Sequence, residues 1–198
     1  MRETVWTANL ALGVVYIDRG TSRRIMGFRD VVLFVGYQEL GTSLKTKPDR
    51  VKEYIDASCS VKVYDYLQNS WCTHFVYWVV ERSGMTGKIA KTPLGNKSVS
   101  RMFDAFPVTT NPREGDLYYM EVVEGKTTHH VGFVTKVYDD EIESLDGNSG
   151  SFKDPATNWS WKDNKGNSGG GIGGGVVTKN RRKRSEITSF LELVPTDF

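Results

Sequence analysis

The sequence predicts an α+β fold in which N-terminal helices pack on a largely antiparallel β-sheet, and two observations carry that expectation. Between Asp30 and Gly84 apolar residues recur at helical spacing, whereas after Gly115 they alternate in strand fashion between turn residues. Helical segments followed by alternating ones, rather than interleaved with them, favour an antiparallel sheet. A chain of 198 residues suits one domain, large enough to bury a core without disulfide staples.

Residues 1–29 read as a weakly patterned extension, with a strand pair expected to turn at Asp18-Arg19-Gly20, and residues 30–198 as the main domain. Asp30 is placed to cap a helix over VVLFVGYQELG, which Gly41 stops. Pro48 opens a second helix, PDRVKEYIDASC, with Val51, Tyr54 and Ile55 on one face. The third helix is NSWCTHFVYWVV, residues 69–80, ending near Gly84. With Ser70 as its N-cap, Trp71, Cys72 and Thr73 form the first turn, while Phe75, Val76, Val79 and Val80 pack inward. A loop punctuated by Pro93, Gly95 and Pro107 then leads to Pro112 and Gly115. Beyond it DLYYMEVV, HVGFVTKVY, EIESLDGN and ITSFLELV are the expected strands, with turns at Glu124-Gly125 and Asp139-Asp140.

Two segments interrupt this pattern. GNSGGGIGGG, residues 166–175, is followed by no Gly-Lys-Ser/Thr, so a flexible loop is expected rather than a phosphate cradle. RRKR, residues 181–184, reads as a solvated strand edge or turn, with attraction of an anionic polymer as the minority reading.

Composition excludes several classes of function. A net charge of +2 is too balanced to argue for nucleic acid as a partner. No apolar run reaches the roughly 18 residues a spanning helix needs, and no leader pattern opens the chain. Synthesis in the cytoplasm without a standard signal peptide, and no membrane insertion, are therefore expected. Cys59 and Cys72 make no disulfide framework, and His74, His129 and His130 have no zinc spacing with them, so no metal is expected.

Cys72 stands out because it sits at a helix head. Amides of a first helical turn have no intrahelical acceptor and the helix dipole is positive there; both effects favour thiolate, the nucleophilic form, over thiol. The Cys72 amide, with a neighbouring donor, is also placed to hold an oxyanion. A buried cysteine is as often core filler, so the position alone leaves both roles open. A cysteine nucleophile needs a base, and the later strands supply His130. Ile142, Ser144, Asp146 and Asn148 share one strand face. A three-residue loop centred on Asp139 sets His130 opposite Asn148, with Asp146 as the diagonal neighbour; an even loop reverses that parity.

Four stretches in this order, WCTHFVYW, PREGDLYYM, HHVGFVTKV and SLDGN, resemble the CHAP amidase/peptidase family of the papain-like NlpC/P60 superfamily. Cys72 is followed by Phe75, Val76 and Trp78 as in the family's C-x-x-F-V-x-W; Gly115-Asp116 matches its strand entry, and His130-Val131-Gly132 its histidine motif. The resemblance covers about residues 30–196. It implies a papain-like fold, Cys72 as nucleophile, His130 as general base and Asp146 as the third member, one methylene shorter than the commoner Glu, with Asn148 beside it. Which of Asp146 and Asn148 orients the imidazole is left open. Trp71 is placed either to wall the substrate groove or to pack. His129, on the other strand face, is expected at the solvent rim, His74 in a buried structural role, and Asp116 in the turn.

The same resemblance implies an enzyme that hydrolyses an amide of peptidoglycan, without metal or organic cofactor. The bond is that of an N-acetylmuramoyl-L-alanine amidase or of a stem-peptide or cross-bridge endopeptidase. A phage lysin (endolysin) and an exported antibacterial toxin both fit, the second with an immunity protein as partner; either acts on the cell wall after lysis or specialised secretion. The alternatives are a cysteine amidase acting on a different amide, and a non-catalytic glycan-binding module.

Overall fold

The computed structural model describes residues 6–9, 14–18, 23–25, 27–59, 71–85, 100–123, 126–149 and 175–194. The expected turn at Glu124-Gly125, the stretch holding Pro93 and Gly95, and the glycine-rich segment before Gly175 lie outside these residues.

Near the N-terminus the expected strand pair is a three-stranded antiparallel sheet: β1 (Trp6–Asn9), β2 (Val14–Asp18) and β3 (Arg23–Ile25). Trp6 pairs with Ile17 and Tyr16 with Ile25. Helix α1 (Phe28–Tyr37) starts two residues before Asp30. Asp30 is therefore not the cap; from the first turn it reaches back and accepts the Gly27 amide at 3.1 Å. The chain leaves α1 through a turn that ends at Gly41, whose φ of 79° suits glycine. Helix α2 (Pro48–Ser58) opens on Pro48 and buries Val51, Tyr54 and Ile55, the expected face. Buried Glu39 ties the two helices, accepting the Tyr54 hydroxyl at 2.6 Å and pairing with Arg50.

Helix α3 (Cys72–Arg82) is the central element: every residue from Cys72 to Val80 is buried. Its N-cap is Trp71, one residue later than expected; Trp71 has non-helical torsions, and its carbonyl accepts the Phe75 amide at 2.9 Å. Trp71 offers no side-chain oxygen, so the head of α3 carries no side-chain cap. The stretch expected to be loop holds a short helix, α4 (Ser100–Ala105), which buries Met102, with Phe106 buried just beyond its end.

The main sheet is six-stranded and antiparallel: β4 (Val108–Thr109), β5 (Leu117–Val123), β6 (Lys126–Val137), β7 (Glu141–Ser149), β8 (Val176–Lys183) and β9 (Ser189–Leu191), in the order β4-β9-β5-β6-β7-β8. The antiparallel α+β architecture is thus as expected. Strand β9 is shorter than ITSFLELV suggested, and β8 was anticipated only in RRKR, read as a solvated strand edge or turn. Its polar sequence, VVTKNRRK, hides a strand whose ladder with β7 is set by tertiary pairing.

The β6–β7 hairpin reaches the expected register by another route. Val137 pairs with Ile142 across an Asp139-Asp140 turn of even length, which by itself gives the wrong parity. A bulge at Thr135 then shifts the ladder by one, so Val134 faces Ser144 and Phe133 faces Leu145. The parity required at Asp146 is restored by the bulge.

Helix α3 lies on β6 and β7 and against α1 and α2. Phe75 meets Phe133 edge to face at 6.1 Å within a core that includes Leu117, Val131 and Leu145. A Cβ at Gly147 would lie 2.5 Å from the Phe75 Cβ, so the close approach of α3 to β7 requires glycine there. The alternate residues Tyr118, Met120, Val134, Ile142 and Phe190 form a second apolar cluster. Phe75→Ala is expected to cost about 3–5 kcal/mol by leaving a cavity at this junction. A urea melt should show it as a lower midpoint with the slope unchanged.

Candidate active site

Three elements bring the expected residues together. Cys72 occupies the first position of α3, where the amides of the turn have no intrahelical acceptor. His130 lies on β6 beside the Tyr118 ring, with centroids 6.2 Å apart. Asp146 lies on β7 with no exposed surface. The His130 Nε2 is 3.8 Å from the Asp146 Oδ2, an ion-pair distance rather than a hydrogen bond. Burial by itself would push the His130 pKa down, but its interactions with Asp146 and Cys72 raise it to about 9.

Asp146 is held from all sides. Tyr118 donates to Oδ1 at 2.5 Å, while Ser144 at 3.2 Å, Asn180 at 2.5 Å and Arg182 at 2.5 Å donate to Oδ2. Burial works against ionisation of this carboxyl, yet the Arg182 charge, then His130 and then the Tyr118 hydroxyl hold its pKa well below the usual carboxylate range. The glycine of the His-Val-Gly motif makes room for it: a Cβ on Gly132 would lie 2.2 Å from the Asp146 Oδ1 and 2.9 Å from the Leu145 carbonyl. A side chain at 132 and a carboxylate at 146 cannot occupy the same space.

Asn148 has a different setting. It adopts a left-handed backbone, φ 54°, and its Oδ1 accepts the Gly175 amide at 3.2 Å where that glycine packs on the Asn148 backbone. The ion-pair partner of His130 is Asp146. The expectation that Trp71 walls a groove is corrected: the ring has no exposed surface and packs on Tyr54 at 5.9 Å, because the cap residue of a central helix points into the core. His74 is fully buried, its Nδ1 hydrogen-bonded to Ser58 Oγ. His129 is exposed and stacks on Tyr119. Asp116 serves the turn by accepting the Arg113 amide at 2.8 Å; it also accepts Arg29 at 2.8 Å and the Leu193 amide at 3.0 Å. Cys59 and Cys72 form no disulfide, and among the described residues no three His, Cys, Asp or Glu side chains cluster to hold a metal.

Sequence reasoning missed Tyr118, Ser144, Asn180 and Arg182 as partners of the carboxylate. A signal for the last two existed. Read with period 2, VVTKNRRK puts Thr178, Asn180 and Arg182 on one face and Lys179, Arg181 and Lys183 on the other. The register confirms this, setting Asp146 opposite Thr178, Ser144 opposite Asn180 and Ile142 opposite Arg182. RRKR does reach the edge strand of the sheet, with Arg181 exposed as read, but Arg182 turns inward to Asp146.

This arrangement joins a helix-head cysteine to a histidine in His-Val-Gly and an aspartate one strand over. Residues 64–148 match the CHAP domain. The CHAP match contains Cys72, His130, Asp146 and Asn148 and ends before β8. A CHAP domain is generally a hydrolase domain, an amidase or peptidase, and the α+β architecture with its six-stranded antiparallel sheet agrees with the papain-like fold of that family. Comparison with curated proteins and with solved structures finds no match.

Proposed function

We propose that the protein is a cysteine hydrolase that cleaves an amide bond of peptidoglycan. The observation that carries this reading is the convergence of Cys72, His130 and Asp146 from α3, β6 and β7, inside a stretch that matches the CHAP domain. Beside Cys72, an imidazole with a pKa near 9 carries its proton at neutral pH, which favours a thiolate–imidazolium pair. The Cys72 Sγ attacks the carbonyl carbon, and the negative charge moves to the oxygen, facing the first-turn amides of α3. Collapse breaks the C–N bond as His130 gives its proton to the departing amine, leaving a thioester and a neutral imidazole. Water then attacks the thioester, His130 takes its proton, and release of the acid restores the starting pair. Asp146 orients the ring throughout.

Whether the bond is a muramoyl–alanine amide or a peptide of the stem or cross-bridge depends on the contacts around the substrate rather than on the triad. A phage lysin and an exported antibacterial toxin are both settings for this activity. For the toxin, the expected partner is an immunity protein that occludes Cys72.

The test is digestion of purified Gram-negative and Gram-positive sacculi, with product masses read by mass spectrometry beside Cys72→Ala. New amino and carboxyl ends that vanish in the variant identify the bond. Sacculi left intact by the wild-type protein overturn the wall-hydrolase reading.

A further inference from the structure

We propose that Arg182, with Asn180 beside it, is a positioning residue of the Cys72–His130–Asp146 site, delivered to it by the edge strand β8. This inference rests on the thiol-hydrolase reading above and adds to it a residue from outside the CHAP match.

The geometry is specific. Arg182 Nη2 and Asn180 Nδ2 both lie 2.5 Å from the Asp146 Oδ2, the same oxygen that the His130 Nε2 faces at 3.8 Å. The Arg182 side chain is 13% exposed, whereas that of neighbouring Arg181 is 50% exposed and pairs with Glu141. Arg182 also lies over the Tyr118 ring at 5.3 Å, and the Tyr118 hydroxyl holds the other carboxylate oxygen. Among the described residues, the groups bearing on Asp146 are Tyr118 from β5, His130 from β6 with Cys72 of α3 interacting with its ring, Ser144 from β7, and Asn180 and Arg182 from β8.

The chemistry explains why a second cation is needed. A buried carboxylate is costly unless a cation accompanies it. If His130 were the sole counter-charge, giving up its proton would leave Asp146 uncompensated at the step where the amine departs. A guanidinium does not deprotonate in this range. With Arg182 in place, the carboxylate stays balanced while the imidazole cycles between its two forms. By holding Oδ2, Arg182 and Asn180 also fix the carboxylate against which the ring is oriented.

The test reads the histidine directly. The chain has three histidines, so the ring signal of His130 can be followed by NMR in the full-length protein and assigned by its loss in His130→Ala. Wild type is expected to titrate near pH 9. Arg182→Met removes the cation, so the site holds its proton more tightly and the midpoint rises by about one pH unit or more. Arg182→Lys keeps the charge and stays within a few tenths of wild type. Turnover of Arg182→Met falls more than about tenfold in kcat with KM within about twofold, and its pH profile moves to the alkaline side. A midpoint unmoved or lowered in Arg182→Met, or moved equally in Arg182→Lys, overturns the proposal. If Arg182→Met does not fold by circular dichroism, Arg182→Gln carries the same expectation. Wild-type protein that leaves sacculi intact defeats the hydrolase reading alone, and a wall-active wild type whose midpoint ignores Arg182 defeats this inference alone.

Discussion

Replacing His130 by alanine is expected to lower amide turnover by about 10³-fold while the protein stays folded. Without the imidazole the leaving amine has no proton donor, and Cys72 loses the cation that favours its thiolate. The fold survives because the carboxylate is not stranded: Arg182, Asn180, Ser144 and Tyr118 still hold Asp146. The variant also changes how stability responds to pH. With its pKa raised to about 9 in the folded state, against about 6.5 when unfolded, His130 contributes stability that is complete below about pH 6.5 and is lost as pH rises through 9. Urea melts at pH 6 and pH 9.5 should therefore show wild type losing more stability over that interval than His130→Ala. Equal losses in the two proteins would contradict the placement of the ring between Cys72 and Asp146.

Asp146→Ala is expected to be the most destabilising change in the site, by about 3–5 kcal/mol, because it leaves Arg182 buried without its counter-charge. Turnover falls with it, since the imidazole loses its orienting partner. Adding Arg182→Met to Asp146→Ala should recover part of the lost stability, as removing both members of a buried ion pair costs less than removing one. The pH dependence has the opposite sign to that of His130. A carboxyl whose folded pKa is depressed contributes stability above about pH 4, lost as pH falls from there towards the folded value. Acid denaturation of Asp146→Ala should accordingly be shallower than that of wild type below pH 4. A double variant no more stable than Asp146→Ala would mean that Arg182 finds another partner.

The helices were legible because their burial is written in periodicity. Val51, Tyr54 and Ile55 of α2, and Phe75, Val76, Val79 and Val80 of α3, are buried as their spacing required. The caps were misjudged by one to three residues at α1 and α3. A Ser or Asp near a helix start is a local signal, whereas the packing of the whole helix decides where its first turn begins. Strands β5, β6 and β7 were legible from their apolar runs between turn residues, although both faces of the sheet are buried there; in β8 only RRKR was read as a solvated strand edge or turn, because its polar residues imitate a solvated surface.

For the site, the residue types and their order were enough to point to Cys72, His130 and either Asp146 or Asn148, and the CHAP resemblance to point to amide chemistry. That part depends on local facts: a thiol at a helix head, a histidine in a strand, a glycine two residues later. The charge state of the triad depends on groups distant along the chain. The two-residue turn at Asp139-Asp140 gave the wrong parity until the bulge at Thr135 corrected it. The cation that balances Asp146 comes from position 182, 36 residues away in sequence and four residues along the β7–β8 ladder from Thr178, the residue opposite Asp146. Sequence alone determined which atoms are available to react, because side-chain chemistry and helix position are local properties. Only the tertiary structure decided which charges share a desolvated space, because burial and strand register are properties of the whole sheet.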